Sequence, residues 1–588
     1  MGETVPIVEG EPAPGLTSSA PSKYRVWSRS DIANRILAGE NIVIHRDRVL
    51  RVPHSWLDAH PGGDLAILHY VGRDATDELE AYHAKDTIEC LMSKFIVGRV
   101  QFSDAAAEGD HGAWEPFVPP IMSGWRFAPA KGTGKAEGSW VREAQALHSD
   151  EDSDLSPSSQ ILLIAKDSPA LQRTFPAAAS VPVDQGPNSP PAPTLATITP
   201  PPSPLSLQEQ AQHSAAYKEL HEQVRAADLY STPYLSGYGP EVVRYIFLAY
   251  ASYWCFGRGW WFPSAVCLGL LWHQLSFTAH DLGHVGVTHN WVVDRVLGIL
   301  IADCVGGLSI GWWVDNHNVH HLVTNHPSHD PDIEHVPFFA ITPQFLTSLY
   351  SSYYKRIMTF DAPARLFLSI QHKLFYIVMS LARFNLYANS YVFLAKTARS
   401  RVFGRRKIRG GRWSWYAEVC ALTFFWSWYA GFLLRKVAET RGWAPALGYL
   451  LVSHMVASPL HVQIVLSHFS RSTADLGPTE SFAHRQLRTT TDVVCPDALA
   501  FLHGGLHLQV THHLFPRLPR HQLRRASALT KQFAKERGLE YAEFGFVEGN
   551  REVRGVLRGV AEQVRVVGVV AEAGVREAME KGRGKREE

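Results

Sequence analysis

The stretch WFPSAVCLGLLWHQLSFTA at 261–279 is followed at once by His280-Asp-Leu-Gly-His284, and the two together indicate the class of fold. An apolar run of about 20 residues matches the ~30 Å hydrocarbon core of a bilayer. The i, i+4 spacing places His280 and His284 on one face of a helix, one turn apart. Because histidine beside lipid is costly unless it is paired or ligated, the stretch predicts a membrane helix that ends in a functional site.

Other apolar runs on both sides of this stretch predict an all-α integral membrane domain over residues 208–545. The runs cover 242–256, 292–314, 366–397, 415–434 and 444–467. Core helices of a soluble protein are the competing interpretation, but Trp and Tyr at the ends of the runs favour a membrane-interface belt. We expect about four transmembrane helices, in two hairpins (242–256 with 261–279, and 415–434 with 444–467), plus interfacial helices.

Two further histidine clusters follow in the same domain. The second holds His317, His320 and His321, and the third holds Gln509, His512 and His513. One such cluster is more often a plain helix surface, but three clusters just beyond apolar segments are not explained by packing. Imidazole suits iron, copper, nickel or zinc, and seven histidines exceed the needs of one zinc ion, so two metal ions are predicted.

The three clusters can share one site only if they lie on the same side of the membrane. The run at 292–314 separates the first cluster from the second, and as a simple span it would place them on opposite faces. We therefore expect this run to be interfacial or re-entrant, and the same arrangement is open to 366–397.

A small α+β domain is predicted over residues 24–103, where short apolar strands alternate with polar helical stretches. His60 stands in the turn HPGGD at 60–64, and His83 follows in AYHAKDTIEC. Glycine at this turn lets the backbone come close to a planar ligand. Two neutral imidazoles from opposite walls would fill both axial positions of a haem iron, which then transfers electrons and does not bind oxygen.

The remaining segments differ in composition. Residues 104–207 are rich in Pro, Ser and Ala and predict a disordered, partly extended linker. In the charged tail at 546–588, six apolar residues at helical spacing predict one amphipathic helix that is solvated or lies on a surface: Val553, Val556, Leu557, Val560, Val564 and Val567.

Composition excludes some classes of protein. The net charge of +1 gives no field for a nucleic-acid partner. The six Cys residues lack a CxxC pair, which favours reduced thiols over a secreted disulfide scaffold. The first 25 residues show no apolar core of a cleavable signal peptide, so we expect the N-terminal domain to stay in the cytosol.

The N-terminal motifs resemble cytochrome b5 over roughly residues 24–103, including GRDAT at 72–76. The resemblance implies one haem b with His60 and His83 as axial ligands, and NADH-cytochrome b5 reductase as the electron donor. Acidic side chains near the second ligand could steer a basic reductase, although a solvated helix face explains them equally well: Asp74, Asp77, Glu78, Glu80, Asp86 and Glu89.

The pattern HDxxH, HxxHH, QxxHH resembles the membrane fatty-acyl and sphingolipid desaturases, in particular their front-end branch with a fused cytochrome b5 domain, whose third cluster begins with Gln. The resemblance implies an O2-dependent centre of two non-haem iron ions, in the endoplasmic-reticulum membrane, with the clusters and the haem domain on the cytosolic side. The implied ligands are His280, His284, His317, His320, His321, His512 and His513, with His468 as an expected eighth and His461 as a weaker candidate. Asp281, Asn318 and Gln509 are expected to orient ligands.

The segments at 280–290 and 504–524 resemble fungal sphingolipid 8-desaturases more than fatty-acid 5- or 6-desaturases, with His507 as a departure. The implied substrate is the long-chain base of a ceramide, and the implied reaction removes one hydrogen from each of two adjacent methylenes. The alternatives are a front-end fatty-acyl desaturase, a lipid hydroxylase, and a non-catalytic membrane haem protein that relays electrons. A metal transporter is a weaker alternative, because it would hold its ligands in the middle of spans.

Overall fold

A four-stranded sheet with four short helices forms the N-terminal domain in the computed structural model, which describes residues 25–57, 59–100, 113–129, 138–143, 191–402 and 411–587. The sheet order is β1-β4-β3-β2, with β1 parallel to β4 and the other pairs antiparallel. The strands are β1 Val26–Trp27, β2 Asn41–His45, β3 Arg48–Val52 and β4 Ile96–Val100. The helices are α1 Arg29–Leu37, α2 His54–Leu57, α3 Leu65–Leu68 and α4 Thr76–Tyr82, followed by single helical turns at Thr87–Met92 and Ser93–Phe95. The predicted α+β domain is confirmed.

Part of the segment predicted to be a disordered linker is folded onto this domain. Trp114 donates from its indole nitrogen to the Gly72 carbonyl at 3.0 Å, and the Val118 amide donates to the Ile198 carbonyl at 2.8 Å. Trp114, Phe117 and Ile198 are buried in the same apolar core as the sheet. The prediction failed here because average composition hides a few large apolar side chains, which bury enough area to order their neighbours. The rest of the predicted linker, 104–112, 130–137 and 144–190, lies outside the described residues.

Small elements complete this folded part. Strands β5 Trp125–Pro129 and β6 Gly138–Arg142 pair as an antiparallel hairpin, and Pro120–Ser123 and Leu195–Ile198 (α5) form short helical turns. The hairpin is fixed to the first domain, since Phe127 stacks on His54 and the Trp140 indole donates to the Leu37 carbonyl at 2.9 Å.

The larger domain is mostly helical, as predicted. Its helices are α6 Leu207–Ala226, α7 Gly239–Gly257, α8 Trp261–Gly283, α9 Trp291–Gly298, α10 Ile310–Leu322, α11 Ala362–Ser369, α12 Gln371–Ser380, α13 Ala382–Val402, α14 Arg412–Trp428, α15 Arg435–Arg441, α16 Trp443–Ala457, α17 Pro459–Phe469, α18 Phe482–Thr489, α19 Ala500–His503, α20 Gln509–Leu514, α21 Leu523–Glu536 and α22 Phe546–Glu587. Two pairs of short strands occur, β7 Tyr350–Ser351 with β8 Arg356–Ile357, and β9 Asp492–Val494 with β10 Glu543–Gly545.

The membrane-spanning count is lower than predicted. Among the described residues, two helices are long and apolar enough to cross a membrane, Arg412–Arg441 and Trp443–Phe469, or three if one bent pair counts as a span. The pair is Trp291–Val305 with Ile310–Leu322, bent by 111°. The bend agrees with the expectation that the run at 292–314 is not a simple straight span, and its interfacial or re-entrant placement stays a prediction.

The outward face of α7 is apolar and exposed, which indicates that it contacts lipid. Its side chains Val242, Val243, Ile246, Phe247, Tyr250 and Tyr253 expose between 49% and 76% of their surface. A contiguous apolar face of this kind is rare on soluble proteins and marks a membrane or a partner. Helix α7 packs beside α8, where Ser252 donates from its hydroxyl to the Ser264 carbonyl at 3.0 Å.

The charged tail is a helix, as predicted, but it is not a solvated appendage. Val553, Leu557, Val560 and Val564 are buried in a core with α11, α12 and α17. Gln371 donates to the Leu557 carbonyl at 2.8 Å. The prediction of a solvated helix is wrong here, because helical spacing indicates an apolar face but does not indicate which part of the protein covers that face.

Leu557→Ala is expected to destabilise the protein by about 2–5 kcal/mol, since it removes a fully buried side chain and leaves a cavity. The measurement is the thermal unfolding midpoint of detergent-purified protein. Arg558→Ala, on the exposed face of the same turn, is the control and should leave the midpoint unchanged. Equal midpoints for both variants and the wild type would show that the tail does not pack as described.

Candidate metal centre

The first histidine pair stands where α8 ends. His280 lies in the last turn and His284 is the C-cap residue, with ring centroids 4.8 Å apart. Asp281 between them is held from the opposite side, since Tyr238 and Arg520 each donate to its Oδ2 at 2.6 Å. Its Oδ1 lies 3.4 Å from His280 Nδ1. The predicted orienting role of Asp281 thus has a geometric basis.

The second and third clusters are carried by α10 and α20. Helix α10 begins at Ser309, whose hydroxyl accepts the Trp312 amide, and it presents His317, His320 and His321 in its last turns. Helix α20 carries His512 and His513, and its first turn is anchored where the Val510 amide donates to Asp492 at 2.9 Å.

The structure brings these residues together into two buried groups. The ligand atoms within each group lie within 4.8 Å of one another; one group is His280, His284, His317 and His512, and the other is His320, His468 and His513. His321 lies between the groups. Its ring centroid is 4.8 Å from that of His284 and 4.0 Å from that of His513, on which it stacks. Its Nε2 is 3.0 Å from His317 Nε2. All eight histidines proposed from the sequence, including His468, therefore meet in one place.

The protonation pattern suits metal ligation. The Nδ1 atom of His320 donates to Asp330 at 2.9 Å, and that of His513 donates to Gln486 at 2.9 Å, so each Nε2 carries a lone pair. The Nε2 atoms of His284, His512 and His513 are buried without a hydrogen-bond partner among the described residues. Burial and neighbouring imidazoles lower the pKa of His512 and His513 well below the ordinary value, which keeps them neutral. Buried lone pairs aimed at a common centre fit a metal ion.

Two orienting residues, Asp330 and Gln486, were missed by sequence reasoning. Asp330 accepts the His320 ring proton and the amides of Asn325 and Asp332, at 2.7–3.0 Å. Gln486 accepts from His513 and donates to the His321 carbonyl at 2.9 Å. The only available signal was the acidic segment HDPD at 329–332, soon after the second cluster.

Four predicted or weighed residues lie elsewhere. Asn318 faces the N-terminal domain, since its amide nitrogen lies 3.3 Å from where a Cβ on Gly62 would be, and it makes no hydrogen bond to a cluster histidine among the described residues. Gln509 and His461 line a cavity instead of joining either group. His507 lies outside both groups, near His503.

Asp330→Asn is expected to lower the metal content of the centre, or its activity, about 10–100-fold, as for other orienting partners of ligating histidines. The Asn amide group would face backbone N–H donors and the His320 ring proton, which all need an acceptor. Asp361→Asn is the control, because Asp361 caps α11 at an exposed position and Asn also caps helices. Full metal content and activity in the Asp330 variant would contradict the assignment. Both quantities are measured on purified protein.

His60 and His83 face each other in the N-terminal domain, with ring centroids 6.1 Å apart. Their Nδ1 atoms donate to the carbonyls of Gly63 at 2.8 Å and Leu79 at 3.1 Å, so Nε2 is the atom each can offer to an iron. Burial and the neighbouring His60 lower the pKa of His83 to about 3, which keeps it neutral. The separation leaves room for one metal atom between the rings, so the pair fits a haem iron.

The N-terminal domain docks directly on the helix of the second cluster. The Tyr70 hydroxyl donates to the Leu322 carbonyl at 3.0 Å, and Leu65 packs with Val319 and Val323. Docking also covers part of the acidic surface proposed for a reductase, because Glu78 is buried, whereas Asp86 and Glu89 stay exposed.

A cavity of about 660 Å³ opens beside the two histidine groups. His280 and His317 of one group and His468 of the other form part of its wall. Most of the remaining wall is apolar. Its polar side chains include Asn385 and Asn389 of α13, one helical turn apart, and its charged side chains are Asp332, Glu334, Arg356 and Arg383. The cavity has the composition that an acyl chain with a few polar groups requires.

Comparison with known proteins gives matches over both domains. Residues 258–545 match the family described as fatty acid desaturase, and residues 28–101 match the family described as cytochrome b5-like heme/steroid binding domain. A Delta 8-(E)-sphingolipid desaturase of Emericella nidulans is 42% identical over 560 residues, covering 93% of this chain and 96% of the relative. One of Candida albicans with the same description is 37% identical, covering 92% and 97%. A Delta(8)-fatty-acid desaturase of Helianthus annuus is 35% identical over 308 residues, covering 51% and 63%.

Proposed function

The chain belongs to the family of delta 8-(E)-sphingolipid desaturases with a fused cytochrome b5 domain, and we propose that it inserts a trans double bond at the delta 8 position of the long-chain base of a ceramide. The single observation that carries the proposal is the meeting of eight histidines beside an apolar cavity, seven of them in two groups and His321 between the groups. A haem electron carrier alone would leave those histidines without a role.

The proposed cofactors are one bis-histidine haem b and two non-haem iron ions, with O2 as co-substrate. The iron ions would be held by His280, His284, His317, His320, His321, His468, His512 and His513. When bound, they supply the oxidising power to remove two hydrogens from adjacent methylenes using O2. Burial lowers the pKa of His512 and His513 and so keeps them neutral, and Asp330 and Gln486 fix the orientation of His320 and His513.

The cavity determines which carbons face the histidines. Unactivated C–H bonds offer no polar handle, so position along the chain must come from how the lipid is held. An apolar wall suits the hydrocarbon, and the amides of Asn385 and Asn389 can exchange hydrogen bonds with the amide and hydroxyl groups of a long-chain base. A plain fatty-acyl chain has fewer groups for such contacts.

We further propose a multi-pass topology in the endoplasmic-reticulum membrane with the haem domain and the histidines on the cytosolic side. One proposed hairpin is Arg412–Arg441 with Trp443–Phe469, which are long and apolar enough to cross a membrane. The other is α7 with α8, because α7 has an apolar outward face that would contact lipid. NADH-cytochrome b5 reductase is the proposed electron donor. The docked haem domain supports this arrangement, since electron delivery requires both sites on one face.

The test is lipid mass spectrometry on a yeast strain that lacks sphingolipid unsaturation and expresses this chain. Long-chain bases lighter by two hydrogens support the proposal. Desaturated fatty acids with unchanged long-chain bases would show that the substrate is a fatty-acyl chain. Products heavier by one oxygen would show that the protein is a hydroxylase. Unchanged lipids with folded, haem-loaded protein would favour an electron carrier.

A further inference from the structure

Tyr82 occupies the boundary between the haem site and the histidine groups. It is the last residue of α4 and is joined by a peptide bond to His83. Its ring meets the ring of His321 edge-on, with centroids 6.3 Å apart and an angle of 89° between the planes. Tyr82 is thus bonded along the chain to a haem-ligating histidine, and its ring contacts a histidine of the metal centre.

His321 is well placed to receive electrons for both metal positions. It stacks on His513 of one group, and it lies 4.8 Å from both His284 and His512 of the other. Its Nε2 is 3.0 Å from His317 Nε2. Among the described residues, the ring contacts that run directly from one group to the other, His317 with His320 and His512 with His513, are longer, at 5.5 and 5.9 Å between centroids.

Two other contacts between the two domains do not join aromatic rings to a histidine of the metal centre. Among the described residues, the second ring contact across the boundary joins His69 to His329 at 5.3 Å, and His329 belongs to neither metal group. The Asn318 amide approaches Gly62, but it offers no conjugated ring. In the part of the chain that the structure describes, the Tyr82–His321 contact is therefore the one ring contact that joins a residue next to a haem-ligating histidine to a metal-centre histidine.

The hydroxyl group of Tyr82 does not explain its position. The Tyr82 oxygen is buried without a hydrogen-bond partner among the described residues, which costs free energy compared with phenylalanine. The ring packs with Val43, Tyr70 and Leu322 at the docking surface. The ring, and not the hydroxyl, is the part that the site uses.

We propose that the Tyr82 ring is the bridge through which electrons pass from the haem pocket to the metal centre. The proposal rests on the proposed function. Each crossing oxidises the haem by one electron and reduces the metal centre by one electron, with no bond made or broken at Tyr82. Two crossings, with electrons from a nicotinamide-dependent reductase, one O2, two protons and one CH2–CH2 unit give one CH=CH unit and two water molecules.

The test compares Tyr82→Leu with Tyr82→Phe in the full-length protein in lipid nanodiscs. The haem is reduced without oxygen, the sample is mixed with oxygenated buffer and ceramide, and haem reoxidation is followed by its absorption bands. We expect the Leu variant to reoxidise at least about tenfold more slowly and the Phe variant to match the wild type. Haem content, non-haem iron content and electron transfer to added cytochrome c should be unchanged in both.

Three outcomes would overturn the proposal or its premise. Wild-type reoxidation in the Leu variant with intact iron would place the route elsewhere. Equal slowing in the Phe and Leu variants would assign the effect to the hydroxyl. If the rate of haem reoxidation in the wild-type protein is the same with and without ceramide, the proposed function itself is contradicted. Tyr82→Met serves as a second non-aromatic variant if the Leu variant loses haem or iron.

Discussion

The His317→Ala variant is expected to lose desaturation by more than about 100-fold while keeping its haem spectrum. His317 belongs to the four-histidine group, its Nε2 lies 3.0 Å from His321 Nε2, and it lines the cavity. Loss of a ligand should exceed the 10–100-fold loss typical of an orienting partner. The haem site is in the other domain and keeps both of its histidines.

The measurement is desaturated product together with haem and non-haem iron per chain. His507→Asn is the matched control, since His507 lies in the third-cluster segment but outside both groups, and it should retain iron and activity. A His317 variant that keeps wild-type iron and product would show that the four-histidine group does not hold the reacting metal.

The second large effect is expected for His83→Ala, which should lose haem and, with it, desaturation driven by NADH. The ring centroids of His83 and His60 are 6.1 Å apart, and among the described residues His83 is the one histidine whose ring faces that of His60. Non-haem iron should stay at the wild-type amount, because the eight histidines of the metal centre are untouched.

Haem absorption spectra and iron analysis of purified protein check this result. The control is His54→Gln, because His54 lies in the same domain but stacks on Phe127 and hydrogen-bonds to the Gly39 carbonyl. A His83 variant with full haem content and an unchanged low-spin spectrum would remove His83 from the haem site.

The histidine clusters could be predicted because their spacing and their place after apolar runs are both local in sequence. His280 and His284 follow α8 directly, and the spacing of His317, His320 and His321 fixes their shared helix face. His468 was accessible for the same reason, at the end of an apolar helix. Asp330 and Gln486 could not be predicted, because loop and helix packing brings them to His320 and His513.

Membrane spans are harder to count from composition. Helix α8 is long enough to cross a bilayer, yet His273, Gln274 and Asp281 lower its apolar character. These polar side chains are buried against neighbouring helices, so they need not face lipid. The apolar runs located the helices, but a hydropathy threshold cannot separate a lipid-facing side chain from one that faces the site.

Docking of the two domains also had no sequence signal. Tyr70 and Tyr82 read as ordinary apolar positions of a small domain, but Tyr70 hydrogen-bonds to Leu322 and Tyr82 meets His321. Both partners are more than two hundred residues away along the chain. Contacts of this kind follow from the tertiary structure and not from local pattern.

The most direct test of the account uses ceramide carrying deuterium at C8 and C9 of its long-chain base. Purified protein in lipid nanodiscs, with reductase, NADH and O2, is incubated with this substrate, and the product is analysed by mass spectrometry. The account predicts a product that has lost one deuterium from each of the two carbons, with the double bond between them. A product that keeps all its label, or that gains oxygen, would contradict it.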